Sequence, residues 1–309
     1  MRVFVTGASG WIGRGVVPEL ITAGHEVVGL ARSDAAAQAL RTVGAEVRSG
    51  SLDDLDTLRD AASSSDGVIH LAFKHDIAFS GDFAGATEAD RRAIETLGEA
   101  LAGSGKPFVI ASGILGVLGL PPGVVATERD ERQAAIGEVP ISGAKSRIAN
   151  AHYTLALANR NVRSSVVRLP PATHGKGDNG FIPAAIRFAR EKGAAAYVGD
   201  GANRWPSVHR DDAARLFRLA LESAPAGSVL HAVGDEGVPI RAIAEIFAAR
   251  LGVPALSVTA AKAGDYLGFL GAFWGFDGPA SAKITRDLLG WQPTRPGLIP
   301  DLEEGHYFA

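Results

Sequence analysis

Three glycines stand at Gly7, Gly10 and Gly13 in the stretch TGASGWIG. Before them runs RVFVT, a short β-branched pattern that reads as a buried strand. After them WIGRGVVPELITAG carries Ile12, Val16, Leu20 and Ala23 on one helical face. Glycines so placed suit one kind of chemistry. The first permits a tight turn, the second lets backbone approach a pyrophosphate, and the third lets helix and strand pack closely. Free N–H groups and the dipole at the helix start then favour the anion. Inside a strand–helix–strand unit, the stretch predicts dinucleotide binding.

A second group of residues could move protons. FKHDIAF puts Lys74, His75 and Asp76 together after a strand. A histidine near a carboxylate can serve as a general acid close to neutral pH. On an extended segment, however, His75 and Asp76 point to opposite sides, and both read more readily as surface loop residues. His174, in ATHG, is another candidate, or a loop histidine bonded to backbone. His70 lies in an apolar strand and reads as a satisfied core histidine; His209 and Asp211 read as structural. The histidines show no metal-ligand spacing, so no metal site is predicted. The chain has no cysteine, which excludes thiol nucleophiles and disulfides. It has neither the G-x-S-x-G elbow of hydrolases nor a G-x-x-x-x-G-K-[ST] phosphate loop.

These residues need elements to hold them. Strand patterns EVVGLA (26–31), AEVRSG, DGVIHLA (66–72), KPFVIAS (106–112) and RSSVVRLP (163–170) alternate with helical ones. The helices fall at 11–24, 34–44 (with Asp34 as cap), about 54–62, 87–103 and 142–160. Such alternation predicts an α/β fold: a Rossmann, doubly wound parallel sheet with helices on both faces. After residue 172 the rhythm loosens. VHRDDAARLFRLALES and GSVLHAVG look like a helix and strand returning to the sheet, and 237–309 reads as mostly helical. The expected division is a dinucleotide-binding domain at 1–172 and 203–236, with a smaller substrate-binding lobe at 173–202 and 237–309.

With 309 residues, 46% hydrophobic and 21% charged, the chain can bury a sizeable core. A net charge of −3 gives no footprint for nucleic acid. No apolar run approaches the ~18 residues of a membrane span, and the N-terminal apolar stretch is too short for a signal peptide. A cytoplasmic protein is expected, without nucleic-acid or membrane partners; a homodimer is left open.

The form T-G-x-x-G-x-x-G resembles the short-chain dehydrogenase/reductase superfamily, in particular its extended branch of epimerase/dehydratase-like enzymes. VIHLA (68–72), VIASG (109–113), VVRLPPATHG (166–175), WPSVHRDDAARL (205–216) and LLGWQP (288–293) match that branch in the same order. The resemblance implies that Thr6, Gly7, Ser9, Gly10, Trp11, Ile12 and Gly13 meet the cofactor. It places Leu52 and Asp53 beside the adenine, Ala72 and Phe73 along the cofactor channel, and Pro170 beside the nicotinamide.

An acid at the end of the second strand would bind the ribose hydroxyl of NAD, whereas an arginine nearby accommodates the 2′-phosphate of NADP. In EVVGLARSD the expected acidic position is Ala31, followed by Arg32. An arginine fork suits phosphate, so NADP(H) is favoured over NAD(H), with Arg14 as a second contact. Otherwise Arg32 is a solvated loop residue and Asp34 takes the ribose.

In the superfamily a serine, a tyrosine and a lysine act together, the last two spaced Y-x-x-x-K. Ser112 ends the fifth strand, and Lys145 stands four residues beyond Ile141 in ISGAK. The resemblance makes Ser112 the residue that bonds the substrate oxygen and Lys145 the one that holds the nicotinamide ribose. Isoleucine occupies the tyrosine position. Tyr153, Tyr197, Tyr266 and Tyr307 are the only tyrosines, and none precedes a lysine by four. The expected function is therefore an NADP-dependent oxidoreductase with a non-standard site, reducing a small organic carbonyl or related electrophile, with Ser112, Lys145, His75 and His174 as catalytic candidates. Phe181, Trp205, Tyr266, Phe269, Phe273, Trp274 and Phe276 would wall the substrate or form plain core. The alternatives are a sugar-nucleotide epimerase or dehydratase, and a non-catalytic NADP sensor or scaffold.

Overall fold

The computed structural model describes residues 1–114, 121, 123–130 and 142–309, the side chains of Phe79 and of residues 142–146 excepted. The chain opens with β1 (Arg2–Thr6), α1 (Gly13–Thr22), β2 (Glu26–Ala31), α2 (Asp34–Thr42), β3 (Glu46–Ser49) and α3 (Leu55–Ser63). It then crosses to β4 (Gly67–His70), α4 (His75–Phe79), α5 (Phe83–Leu101), β5 (Pro107–Gly113), α6 (Ser142–Ala156) and β6 (Arg163–Leu169). The next elements are β7 (Ala172–His174), α7 (Phe181–Lys192), β8 (Ala195–Val198), β9 (Arg204–His209), α8 (Arg210–Ser223) and β10 (Ser228–His231). The remainder is β11 (Asp235–Pro239), α9 (Ile240–Leu251), β12 (Ala255–Val258), α10 (Ala263–Leu267), α11 (Lys283–Leu289) and α12 (Leu298–Glu303).

Seven strands form one parallel sheet in the order β10-β6-β5-β4-β1-β2-β3. The chain winds outward from β1 to β3, then returns to lay β4 on the other side of β1. That reversal opens a crevice beyond the C-terminal ends of β1 and β4, where open α/β sheets bind ligands. The central strands are apolar along their length because both faces are covered. Val3, Val5, Ile69 and Val167 pack against α1 and α8 on one face, and Phe4, Val68, Phe108 and Val166 against α3 and α5 on the other.

A second core gathers Trp205, Trp274, Phe247 and Ile186 in the C-terminal lobe. There β7, β9 and β11 make a three-stranded sheet, and β8 pairs with β12. The segment VHRDD thus begins as a lobe strand and continues into α8, while β10 returns to the main sheet beside β6. Among the described residues, no helix is long and apolar enough to cross a membrane.

Two local expectations change. The cap of α2 is Ser33, not Asp34: Ser33 is extended and its hydroxyl accepts the Ala36 N–H at 3.3 Å. Asp34 sits in the first turn, where a carboxylate favours the helix dipole. The segment at His75 is also helical rather than extended, so His75 and Asp76 follow helical directions.

Candidate active site

The glycine turn lies at the crevice. Gly10 N–H donates to the Gly7 carbonyl at 2.9 Å and closes the turn. Gly7 holds φ +66°, and a Cβ there would come within 2.7 Å of the Ala72 nitrogen. A Cβ on Gly13 would overlap the Gly7 carbonyl oxygen. Any side chain at either position would therefore fill the cradle or force β1 and β4 apart. Ile12 precedes α1 without a side-chain cap, and its first turn carries no acid. No acid of the helix's own first turn therefore competes for the N–H groups at its start. Arg14 donates from Nε to the Ser9 carbonyl at 3.1 Å, which fastens it to the same turn.

Trp11 connects this turn to the lobe. Its indole N–H donates to the Thr173 carbonyl at 2.9 Å, and the Arg210 guanidinium stacks 4.6 Å from its ring centre. Pro170 is buried just upstream, its carbonyl accepting from Thr173.

At the far end of the crevice, Arg32 follows β2 and is 71% exposed. It reaches Asp76 of α4 at 3.3 Å. Leu52 is buried, and Asp53 bonds Lys74 at 2.6 and 2.8 Å.

Beneath the glycine turn runs a buried polar chain. Thr6 Oγ1 lies 2.8 Å from His70 Nδ1 and accepts the Ala72 N–H at 3.3 Å. An ionised Asp90 can only accept, so His70 Nε2–H donates to it at 3.1 Å, and in that tautomer Nδ1 accepts the Thr6 hydroxyl. Asn150 of α6 donates to the other Asp90 oxygen at 2.8 Å. Burial pushes the Asp90 carboxyl upward, but His70, then Arg147 and Asn150, hold it below the usual carboxylate range. His70 is thus a satisfied core histidine, as its strand suggested.

Arg147, also on α6, donates to the Ala111 carbonyl at 3.1 Å and lies 4.3 Å over the Phe73 ring. His75 packs edge-on to Phe73 at 5.0 Å. Burial, then the Arg147 charge, lowers the His75 pKa, although the ring keeps exposed surface.

The sequence profile of the NAD dependent epimerase/dehydratase family matches residues 3–232. The chain belongs to this family. An uncharacterized protein of Schizosaccharomyces pombe is 44% identical over 308 residues, covering 100% of both chains. A 4-hydroxy-2-methyl-3-oxo-4-farnesyl-3,4-dihydroquinoline-1-oxide ketoreductase of Stigmatella aurantiaca is 27% identical, over 87% of this chain and 80% of its own. Among solved structures, the dTDP-glucose 4,6-dehydratase DesIV of Streptomyces venezuelae, with NAD and TYD bound, superposes with a TM-score of 0.77. It is 21% identical and covers 100% of this chain and 96% of its own, a likeness of fold. The epimerase/dehydratase family and its relatives comprise NAD(P)-dependent oxidoreductases and epimerases of the extended short-chain type, and this chain is an enzyme of that type.

Within this family frame, Ser112 is half-buried at the end of β5, one residue beyond the carbonyl that Arg147 holds. Ile141 lies outside the described residues. Lys145 falls on α6, but its side chain lies outside them too. His174 belongs to another set: fully buried in β7, it bonds Asp301 at 2.8 Å and meets the His209 ring at 5.5 Å. Of the lobe aromatics, Trp205 and Trp274 are core, Phe181, Tyr266 and Phe273 are half-buried, and Phe269 and Phe276 are exposed. Arg147, Asp90 and Asn150 escaped sequence reasoning. The signal was there in part, since Arg147 and Asn150 are three apart and share a helix face, but their partners lie on α5, on β5 and in the loop after β4.

Proposed function

We propose that this enzyme is an NADP-dependent reductase of a small organic carbonyl or related electrophile, acting in the cytoplasm. The observation that carries the reading is Arg32, exposed at the crevice mouth just beyond Ala31, where a ribose-binding acid would otherwise stand. Its planar fork suits a 2′-phosphate, and the exposed Asp76 that now partners it can yield to a doubly charged group. The glycine turn would bind the pyrophosphate. When bound, the reduced nicotinamide supplies a hydride to an electrophilic carbon.

The chain's own residues then hold the substrate and settle the oxygen. Ser112 would bond the carbonyl oxygen from the end of β5. With isoleucine at 141, the proton comes from Ser112, from a histidine such as His75, or from ordered water. Burial, then the Arg147 charge, disfavours imidazolium at His75, so its part would be to hydrogen-bond the oxygen through an N–H while Ser112 or water relays the proton. An imine or a conjugated enone needs less help at that oxygen than a simple ketone does.

The test is NADPH and NADH binding by calorimetry, followed by turnover of ketones, imines and enones by wild type and Ile141→Tyr. Tighter NADPH binding, with turnover of at least one class that the tyrosine does not improve, is expected. Binding of NADPH without turnover of any class, and general activity gained by the variant, would put the sensor reading first. Conversion of a sugar nucleotide with the cofactor retained would put the epimerase or dehydratase reading first.

A further inference from the structure

We propose that Arg147 is a positioning residue of this site, tying the β5 end that carries Ser112 to the Phe73 ring beside His75. The inference rests on the reductase reading for its kinetic part alone. One guanidinium touches both halves of the frame: it donates to the Ala111 carbonyl, one residue before Ser112, and covers Phe73, two residues before His75. α6 itself is braced from behind, because Asn150, one turn along the same face, bonds Asp90, and Asp90 bonds His70 of β4. Helix α6, strand β5 and the loop after β4 therefore share a single set of contacts.

The arrangement has an electrostatic consequence. Among the described residues, the groups that act on His75 are Arg147 from α6, Asp76 on its own helix, Asp90 from α5 and the Phe73 carbonyl. The two carboxylates and the carbonyl favour imidazolium; burial and Arg147 oppose it and prevail. A planar cation serves here where lysine would serve less well, since it can stack on a ring and donate in its own plane at once. The charge alone, however, is common to both residues. The two roles can thus be separated by substitution.

The experiment titrates the His75 ring by NMR in the cofactor-free protein, for wild type, Arg147→Gln and Arg147→Lys. Glutamine can still donate to Ala111 but carries no charge. Its His75 midpoint should rise by about half a pH unit or more, whereas the lysine variant should stay near wild type. Kinetics on a carbonyl substrate should show kcat falling roughly tenfold or more in both variants, with the KM for NADPH changed less than about threefold, because the frame and not the cofactor cradle is disturbed. A His75 midpoint that is the same in Gln and wild type overturns the proposal. So does a loss of kcat matched by an equal rise in the KM for NADPH. If wild type is inert toward every carbonyl, the reductase reading fails and the His75 titration alone decides the role of Arg147.

Discussion

His70 Nε2 lies 3.1 Å from Asp90 Oδ1, with side chains only 2% and 5% exposed. A carboxylate is costly to hold out of water unless its oxygens are bonded. Asp90 meets that condition with His70 on one oxygen and Asn150 on the other. The pair joins α5 to β4, and through Thr6 to the turn that starts the dinucleotide site.

Asp90→Ala should destabilise the protein by about 1–3 kcal/mol or more, because it leaves the buried His70 Nε2–H without an acceptor and takes one from the Asn150 amide. Acid should act through the same residue. The folded carboxyl titrates below the ~3.9 of an unfolded aspartate, so its stabilisation is complete above about pH 4 and is lost as pH falls through the folded value. Urea unfolding at pH 7 and pH 3 measures this. Wild type should lose more stability on acidification than Asp90→Asn, and equal losses would refute the assignment.

Arg32→Ala should weaken NADPH by roughly 1.5–3 kcal/mol, the worth of a charge-assisted bond, and leave NADH nearly unchanged. Asp76→Asn should move NADPH the other way, by no more than ~fivefold, since an exposed ion pair is weak. Titration calorimetry compares the four combinations. Equal weakening of both cofactors in Arg32→Ala would count against a 2′-phosphate contact.

Gly7→Ala should cost about 1–2 kcal/mol for its left-handed backbone, with a further penalty from the approach to Ala72. NADPH affinity should fall at least ~tenfold, which is about 1.4 kcal/mol. Gly24→Ala is the control. It holds φ +84° with nothing within 4 Å of the added carbon, so it should share the backbone strain and keep the affinity. Thermal melts and fluorescence binding on both variants separate the two effects; an equal loss of affinity would show that strain alone is at work.

Asp178 carries a different pH signature. Burial pushes its carboxyl up to about 6, against the opposing bonds from Gly180 N–H and the Tyr307 hydroxyl. Because the folded value exceeds the unfolded one, the contribution to stability is greatest below about pH 4 and declines as pH rises toward 6. The slope can reach ~1.4 kcal/mol per pH unit between the two values. Asp178→Asn should flatten the stability curve of wild type across that window. Tyr307→Phe removes a donor to the charged form and should steepen it. Melting from pH 4 to 8 reads both, and a curve indifferent to Asp178→Asn would exclude the residue as its source.

The strands and the glycine turn could be read from the chain because their causes are local: apolar period, turn glycine, helix start. The return of β10 to the sheet could be read for the same reason, from a helix and strand pattern in VHRDDAARLFRLALES and GSVLHAVG. The partner of Arg147 could not. Its acceptor is a carbonyl 36 residues away, and its ring belongs to another strand's loop. No spacing along α6 encodes either. The capping of α2 shows a finer limit: Ser33 and Asp34 are both good caps, and only the extended backbone at Ser33 decides between them.

Trp11 gives the molecule an optical reporter. Of its four tryptophans, Trp205, Trp274 and Trp291 are at most 1% exposed. Trp11 alone is partly open, set in the glycine turn and hydrogen-bonded to a carbonyl 162 residues away. A dinucleotide seated on the glycine turn as proposed would meet the Trp11 ring, whereas burial shields the other three from contact with it. The part of the titration signal lost in a Trp11→Phe protein that still binds cofactor would belong to this ring, which makes occupancy of the glycine turn readable without a label.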